Sequence, residues 1–246
     1  MNDTIFAFSA ASTIGVLSFG FLLGLKHATE ADHLAAISAI VTERRSIFSS
    51  AMVGGLWGVG HTISLLAAGV LVLLLDFTIS RRTEMLLEFF VGVMLIFLGL
   101  NVLRRLFAGG HLHFHPHGHG AHTHSHPHIH EFEETAEPAT HHGLRFSPRP
   151  LIVGMVHGLA GSAALMLLVI PTIGSRTFGL LYVTIFGVGS IGGMILMSFL
   201  VGLPFHFTAV RFHRFNHLLQ GVAGLVSISL GFWIVYEMGF SGGLFA

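Results

Sequence analysis

The chain has 246 residues, of which 52% are apolar and only 10% are charged, and its mean hydropathy is +0.77. The formal net charge is zero with histidine neutral, so nothing in the charge balance points to nucleic acid as a partner. The absence of cysteine excludes disulfide bonds and thiolate metal ligands. We therefore expect a polytopic membrane protein surrounded by a lipid bilayer.

Six apolar stretches are long enough to cross a hydrocarbon core, which takes about 20 residues of helix. The first is too long for one upright span, so its N-terminal part protrudes, tilts or forms a separate short helix. A signal peptide is not expected, because the N-terminus has Asp3 and no basic residue before the apolar stretch. The predicted spans are residues 10–41, 50–75, 84–106, 150–170, 177–203 and 215–238.

The first stretch contains an unusually polar segment, Gly24 to Ile37. Polar groups inside a membrane cost free energy unless they find partners, so such residues indicate function. Imidazole nitrogen and carboxylate oxygen form a ligand set suited to a divalent transition metal. The candidate metal ligands of this segment are His27, Glu30, Asp32 and His33.

Helix geometry limits how these side chains can act together. At about 100° per residue, the two histidines and Glu30 share one face, whereas Asp32 lies on another. Either the helix is broken near Gly24 to Lys26, or Asp32 binds a different partner, such as Lys26 or a ligating imidazole. The sequence leaves both alternatives open.

The second span carries one histidine within a glycine-rich helix. His61 lies 11 residues after Ser50 at the predicted inner face, or roughly 16 Å along a helix, which is near the membrane midplane. Small residues there allow neighbouring helices to approach closely. We take His61 as a further candidate ligand; the alternative is a neutral imidazole that hydrogen-bonds to a neighbouring helix.

Residues 107–149 form a segment of a different kind. Twelve of the nineteen histidines lie there, mostly at every second position, together with glycine, proline and several glutamates. Such a composition predicts a segment that is disordered without ligand and binds metal weakly; a merely solvating linker is the alternative. The candidate loop ligands are His111, His113, His115, His117, His119, His122, His124, His126, His128 and His130, and His141 and His142 follow.

Arginine positions predict the orientation of the chain. Eight arginines fall in one set of loops and three in the other, and the richer set is expected in the cytoplasm. Both termini are then outside, and the histidine-rich loop is cytoplasmic, in what we expect to be the cell's inner membrane. The inner residues are Arg44, Arg45, Arg104, Arg105, Arg145, Arg149, Arg211 and Arg214, and the outer ones are Arg81, Arg82 and Arg176.

The second half of the chain repeats the first. Gly154 to Gly158 matches Gly24 to Ala28, which makes His157 the counterpart of His27, and two further matches follow at offsets between 129 and 132 residues. Units of three spans enter the membrane in opposite directions, so the sequence predicts two inverted three-helix repeats, residues 1–106 and 150–246. The polar residues of the first copy are replaced in the second by Ala160, Ser162, Ala163 and Ser190.

The segment His27 to Ile37 resembles the His-x4-Asp-His signature of the nickel/cobalt transporter family of the NicO type. Gly60-His61-Thr62 is similar to the Gly-His-Ser/Thr element in the second helix of that family. The resemblance implies passage of Ni²⁺ or Co²⁺, with His27, Asp32, His33 and His61 as motif residues. The chain departs from the longer, eight-span permeases, because Gly158 to Ala164 replaces their later acidic motif, and it looks more like the six-span branch.

These observations predict a membrane transporter of divalent transition-metal ions, with Ni²⁺ or Co²⁺ as the transported ion and no organic cofactor. A cytoplasmic metallochaperone is a candidate partner. One alternative is a metal-sensing, storage or maturation accessory protein that does not itself transport. Another is a membrane metalloenzyme, which we do not expect, because no His-Glu-x-x-His pattern is present. The glycine-rich segments lack the Lys-Ser/Thr ending of a nucleotide-binding loop, so no use of ATP is indicated.

Overall fold

The computed structural model describes residues 2–42, 46–76, 78–108, 111–119, 122–130, 148–169 and 175–245. These residues form seven α-helices, one pair of strands and a short π-helical turn at Glu237–Ser241. Apart from the strand pair the described chain is helical, as predicted. The elements are α1 (Asn2–His27), α2 (Ala31–Val41), α3 (Ile47–Leu74), α4 (Arg81–Ala108), β1 (His111–His119), β2 (His122–His130), α5 (Arg149–Val169), α6 (Arg176–Arg211) and α7 (His213–Tyr236).

Four of the described helices, α3, α4, α6 and α7, are long and apolar enough to cross a membrane. Large apolar side chains on the outside of the helix bundle, such as Phe97, Phe232 and Trp233, are more than half exposed. A continuous apolar exterior of this kind is stable against lipid rather than water. These features indicate an integral membrane protein.

The other two predicted spans differ from the long helices. The stretch at 150–170 contains α5, whereas the first stretch is divided between α1 and α2, with apolar helices at Thr13–His27 and Ala31–Val41. α2 has 11 residues, and a helix of that length spans roughly 16 Å, about half of a hydrocarbon core. Six complete crossings therefore remain a prediction.

The first apolar stretch is broken at Ala28 to Glu30. The hydroxyl of Thr29 donates a hydrogen bond of 2.6 Å to the carbonyl of Lys26, which closes the end of α1. Glu30 then has an extended backbone, with φ −65° and ψ 150°, and precedes the first turn of α2. The break lies a few residues after Gly24 to Lys26, where the sequence suggested it, and it re-aims the side chains that follow.

Pairs of helices pack at very short distances around α2. α1 packs on α6, α3 on both α5 and α6, and α4 on α7, while α2 contacts α3, α4, α6 and α7. At Gly24 a Cβ would overlap the carbonyl oxygen of Phe186, and at Gly154 it would overlap the carbonyl oxygen of Trp57. Glycine is therefore required where α1 meets α6 and where α5 meets α3.

The described part of the histidine-rich loop is an antiparallel pair of strands, β1 and β2. The disorder without ligand that the composition predicts for residues 107–149 stays a prediction. A repeat of two residues is also the repeat of a β-strand, which fits the spacing of the histidines in this pair. His141, His142, Arg145, Arg44 and Arg45, which the sequence assigns to loops, lie outside the described residues.

Candidate metal centre

Four histidines from four helices meet inside the bundle. His27 is the last residue of α1, His33 lies in the first turn of α2, His61 lies in α3 and His157 lies in α5. Their side chains are almost completely buried, with exposed fractions of 6%, 0%, 0% and 1%. The break between α1 and α2 turns the start of α2 toward α3 and α5, so residues close in sequence reach partners on separate helices.

Three of these imidazoles surround a common point. The ring centroids of His27 and His33 are 4.4 Å apart, those of His27 and His61 are 5.1 Å apart, and those of His33 and His61 are 5.4 Å apart. One nitrogen from each ring lies within 4.8 Å of the other two. A transition-metal ion binds imidazole nitrogen at about 2.0–2.1 Å, so one ion between the three rings requires only a small contraction.

The nitrogens in this group lack protein partners among the described residues. His27 Nε2, His33 Nε2 and both ring nitrogens of His61 are buried and accept or donate no hydrogen bond there. A buried polar atom without a partner costs about 1–3 kcal/mol. A bound cation removes this cost at one nitrogen of each ring, because each neutral imidazole offers one lone pair.

Carboxylates hold the opposite nitrogens of two of these rings. Glu30 Oε2 lies 3.0 Å from His27 Nδ1, and Asp32 Oδ1 lies 3.0 Å from His33 Nδ1. When each Nδ1–H donates to its carboxylate, the lone pair of that ring is on Nε2, the nitrogen left without a partner. This carboxylate–histidine arrangement is typical of metal-ligating imidazoles in proteins.

Asp32 connects the histidines of two helices. Its Oδ1 also accepts a hydrogen bond of 2.8 Å from the backbone N–H of His33, and its Oδ2 lies 2.9 Å from His157 Nε2. Asp32, His33 and His157 each offer a ligand atom within 4.8 Å of the others, so they form a second group able to hold a metal. His33 belongs to both groups and is therefore the centre of the cluster.

Aromatic side chains that the sequence does not mark as site residues close the cluster. The indole of Trp57 stacks on His33 with ring centroids 5.5 Å apart, and Phe186 lies 5.5 Å from His27. Trp57 is fully buried, and its Nε1 has no partner among the described residues. The spacing in the sequence could have identified Trp57, because it lies one helical turn before His61 on α3.

All six residues that the sequence assigns to the intramembrane metal set lie in this cluster. The structure gives them different positions: three rings present free nitrogens to one point, while Glu30 and Asp32 contact the far side of two rings. Asp32 contacts imidazoles, the second alternative left open by the sequence, and among the described residues its side chain hydrogen-bonds to His33 and His157 rather than to Lys26. The cluster is formed by His27, Glu30, Asp32, His33, His61 and His157.

Comparison with known proteins identifies the family. Over 240 residues the chain is 36% identical to the urease accessory protein UreH of Bacillus sp. (strain TB-90), an alignment that covers 94% of this chain and 95% of that protein. The chain belongs to the UreH family. No family model and no solved structure matches the chain.

Members of the UreH family have more distant relatives in plants. The chain is 28% identical over 228 residues to the chloroplast protein FOR GROWTH AND FERTILITY 1 of Arabidopsis thaliana, and 26% identical over 230 residues to FOR GROWTH AND FERTILITY 2. It spans 60% and 57% of the length of those two proteins. The chain therefore corresponds to only part of each plant protein.

Proposed function

We propose that this protein is a membrane transporter of divalent transition-metal ions, with Ni²⁺ as the expected substrate and Co²⁺ as the second candidate. The observation that carries the proposal is the convergence of His27, His33 and His61, three buried imidazoles with free nitrogens inside an apolar helix bundle. A purely structural cluster would pair these nitrogens with each other or with backbone carbonyls, because the cost of leaving them unpaired is high.

The donor chemistry limits the choice of ion. Imidazole suits nickel, cobalt, zinc and copper, whereas calcium and magnesium prefer sets made only of oxygen ligands. Nickel is favoured over the others because the name of a relative, urease accessory protein UreH, is compatible with a nickel-related role. The resemblance of His27 to Ile37 to the NicO signature supports nickel or cobalt as well.

The helix contacts support an inverted repeat. Gly24 meets the Phe186 carbonyl between α1 and α6, and its sequence counterpart Gly154 meets the Trp57 carbonyl between α5 and α3. Trp57 and Phe186 are themselves counterparts, so one contact is the other with the two halves exchanged. Two further pairs of contacts show the same exchange. The contact of Gly60 with Leu151 corresponds to that of Gly189 with Phe21. The contact of Gly92 with Gly231 corresponds to that of Gly99 with Gly224.

Two repeats related in this way favour transport over storage. Transporters of this architecture bind their substrate near the midplane, where the halves meet, and expose it to each side in turn. The composition of the cluster supports this proposal, since α1, α2 and α3 come from the first half and His157 on α5 comes from the second. We further propose that both termini are outside, that the histidine-rich loop is cytoplasmic, and that a metallochaperone exchanges ions there.

A second candidate function is that of an accessory protein which binds nickel for enzyme maturation without transporting it. The printed name of the Bacillus relative favours it. We do not propose an enzyme, because a bound ion accounts for one free nitrogen on each of His27, His33 and His61 without any catalytic group.

Flux into vesicles distinguishes these functions. Purified protein is reconstituted into liposomes that contain a metal-sensitive dye, and Ni²⁺ is added outside. A transporter fills the lumen with many ions per protein molecule, whereas an accessory or storage protein binds only a few. His61→Leu removes a ligand while roughly keeping volume, and Ser190→Ala changes the buried counterpart on α6 as a matched control. Flux lost in the first variant and kept in the second supports the proposal; stoichiometric retention by the unmodified protein contradicts it.

A further inference from the structure

His33 presents its two ring nitrogens to different neighbours. Its Nε2 is buried without a hydrogen-bond partner among the described residues, and the ring forms one group of possible ligands with His27 and His61. Its Nδ1 lies 3.0 Å from Asp32 Oδ1, and the same ring forms a second group with Asp32 and His157. We call the space inside the first group the first position for an ion, and the space inside the second group the second position.

The second position already has the spacing of a metal site. The two oxygens of Asp32 lie 3.0 Å from His33 Nδ1 and 2.9 Å from His157 Nε2. Two ligand atoms at right angles around an ion, each about 2.1 Å from it, are about 3.0 Å apart. The ring centroid of His157 is 4.1 Å from that of His33 but 6.1 Å from that of His61, so His157 belongs to the second position.

One imidazole cannot serve both positions at the same time. A neutral ring has a lone pair on one nitrogen and a proton on the other. With the proton on Nδ1, the lone pair of His33 serves the first position; with the proton on Nε2, it serves the second. Ions on the two nitrogens of one ring would also be about 6 Å apart, a distance at which two divalent charges repel strongly in a protein interior.

We propose that the cluster offers one divalent transition-metal ion two alternative positions, and that the ion passes between them across the ring of His33. On transfer from the first position to the second, His33 loses a proton at Nδ1 and gains one at Nε2. His157 loses a proton at Nε2 and gains one at Nδ1, so both rings stay neutral. Water is the acceptor and the donor of these protons. The inference rests on the proposed function for the transport of the ion, but the two positions do not depend on it.

The two positions are divided differently between the halves of the chain. The first uses only α1, α2 and α3, whereas the second needs His157 on α5. A movement that separates α5 from α2 therefore opens the second position and leaves the first complete. The side chain of Asp32 is 30% exposed and that of His33 is fully buried, so the second position is also the more accessible one. Transfer across His33 links a movement of the halves to a step of about 6 Å by the ion.

Variants that remove one position at a time test this inference. His61→Leu removes a ligand of the first position alone, and His157→Gln removes a ligand of the second while its amide can still donate to Asp32. His27→Gln removes another ligand of the first position, so a folding defect at residue 61 does not decide the outcome. The double variant with His61→Leu and His157→Gln loses both positions, and Ser190→Ala, at a buried residue of α6, is the control.

The number of bound ions distinguishes alternative positions from a single site. Bound Ni²⁺ is counted by elemental analysis after equilibrium dialysis of the full chain in detergent, at a concentration that saturates the unmodified protein. Residues 111–142 are the same in every protein, so a difference in the count reports on the cluster. We expect each single variant and the control to hold as many ions as the unmodified protein, and the double variant to hold one fewer. Loss of one ion in every folded single variant of the cluster, or no loss in the double variant, would overturn the inference.

Flux into liposomes separates transfer of the ion from its binding. His157→Gln should hold its ion and yet transport Ni²⁺ at least about tenfold more slowly, because the ion fills the first position and cannot pass to the second. Ser190→Ala should transport at the unmodified rate. Unchanged flux through His157→Gln, shown to be folded by fluorescence-detected size exclusion, would overturn the inference. The expected ion counts without any flux through the unmodified protein would contradict the proposed function and leave the two positions supported.

Discussion

Asp32 and His157 are 125 residues apart in the sequence, yet Asp32 Oδ2 and His157 Nε2 lie 2.9 Å from each other between α2 and α5. The other oxygen of Asp32 contacts His33 Nδ1. One carboxylate therefore aligns two imidazoles on different helices. Because α5 belongs to the second half of the chain, this contact joins the halves at the candidate metal centre.

Asp32→Asn should weaken metal binding more than it weakens the fold. The amide oxygen can accept a hydrogen bond from one imidazole, but the amide nitrogen cannot accept one from the other, so one ring loses its orientation. Loss of such a carboxylate partner typically costs about tenfold to a hundredfold in metal affinity. We expect that loss in Ni²⁺ titrations together with a clear fall in flux; unchanged flux at normal expression would contradict the assignment of the site.

His157→Gln distinguishes a positioning residue from a ligand. The glutamine amide can still donate a hydrogen bond to Asp32 but is a poor ligand for Ni²⁺. If His157 acts through Asp32, this variant should keep affinity within about tenfold, whereas His157→Ala should lose more. Equal and complete loss in both variants would place His157 in direct contact with the ion.

His33→Ala should be the most damaging single change in the cluster. His33 belongs to both groups able to hold a metal and stacks on Trp57, so its removal affects every arrangement of ligands at once. We expect Ni²⁺ flux to fall to the level of empty liposomes. Fluorescence-detected size exclusion should confirm that the variant is folded, and measurable flux from a folded variant would show that the pathway lies elsewhere.

Gly158→Ala links helix packing to the site. A Cβ at Gly158 would lie 2.5 Å from the His61 carbonyl oxygen, so α3 and α5 must separate to admit it. Overpacking of this kind typically costs about 1–3 kcal/mol, and we expect a lower melting temperature in detergent together with weaker Ni²⁺ binding. Gly55→Ala is the control, because a Cβ there meets only the Ile195 side chain at 3.5 Å. An equal effect of both changes on Ni²⁺ binding would contradict the link between close packing at Gly158 and the metal site.

Replacement of residues 111–142 by a Gly/Ser linker of similar length should tune transport without abolishing it. The linker removes twelve histidines that can concentrate ions at one mouth of the bundle. We expect the apparent affinity for metal on the loop side to weaken while saturating flux persists in liposomes. Complete loss of flux from a folded protein would make the loop part of the pathway itself.

The residues of the site could be predicted from the sequence more readily than their geometry. The site residues His27, Glu30, Asp32 and His33 can be identified as polar residues in an apolar stretch. The free-energy cost of burying polar groups is large, and it can be recognised within one short segment of sequence. The position of the break at Ala28 to Glu30 has a weaker signal, since these residues are all compatible with a helix. The Thr29 hydroxyl and the Thr29 N–H both donate to the Lys26 carbonyl, and the Glu30 N–H donates to the His27 carbonyl, which closes the turn. On an unbroken helix Asp32 would face away from His27.

Contacts between distant segments were harder to predict. The match between the two halves points to His157 as a counterpart of His27, but only packing of α5 against α3 brings it to Asp32. Likewise the repeat of two residues in the histidine-rich loop fits both a solvated coil and a strand. Its pairing depends on the alignment of β1 with β2, which the spacing within each strand does not determine.

The stacking of Trp57 on His33 supplies an optical reporter of ion occupancy. The chain has two tryptophans, and while Trp57 is fully buried at the cluster, Trp233 is 65% exposed on α7. Paramagnetic Ni²⁺ or Co²⁺ held by His33 would quench the fluorescence of an indole whose ring centre lies 5.5 Å from that imidazole. With Trp233→Phe as background, emission at a single wavelength would follow filling and emptying of the intramembrane site in real time, without a label.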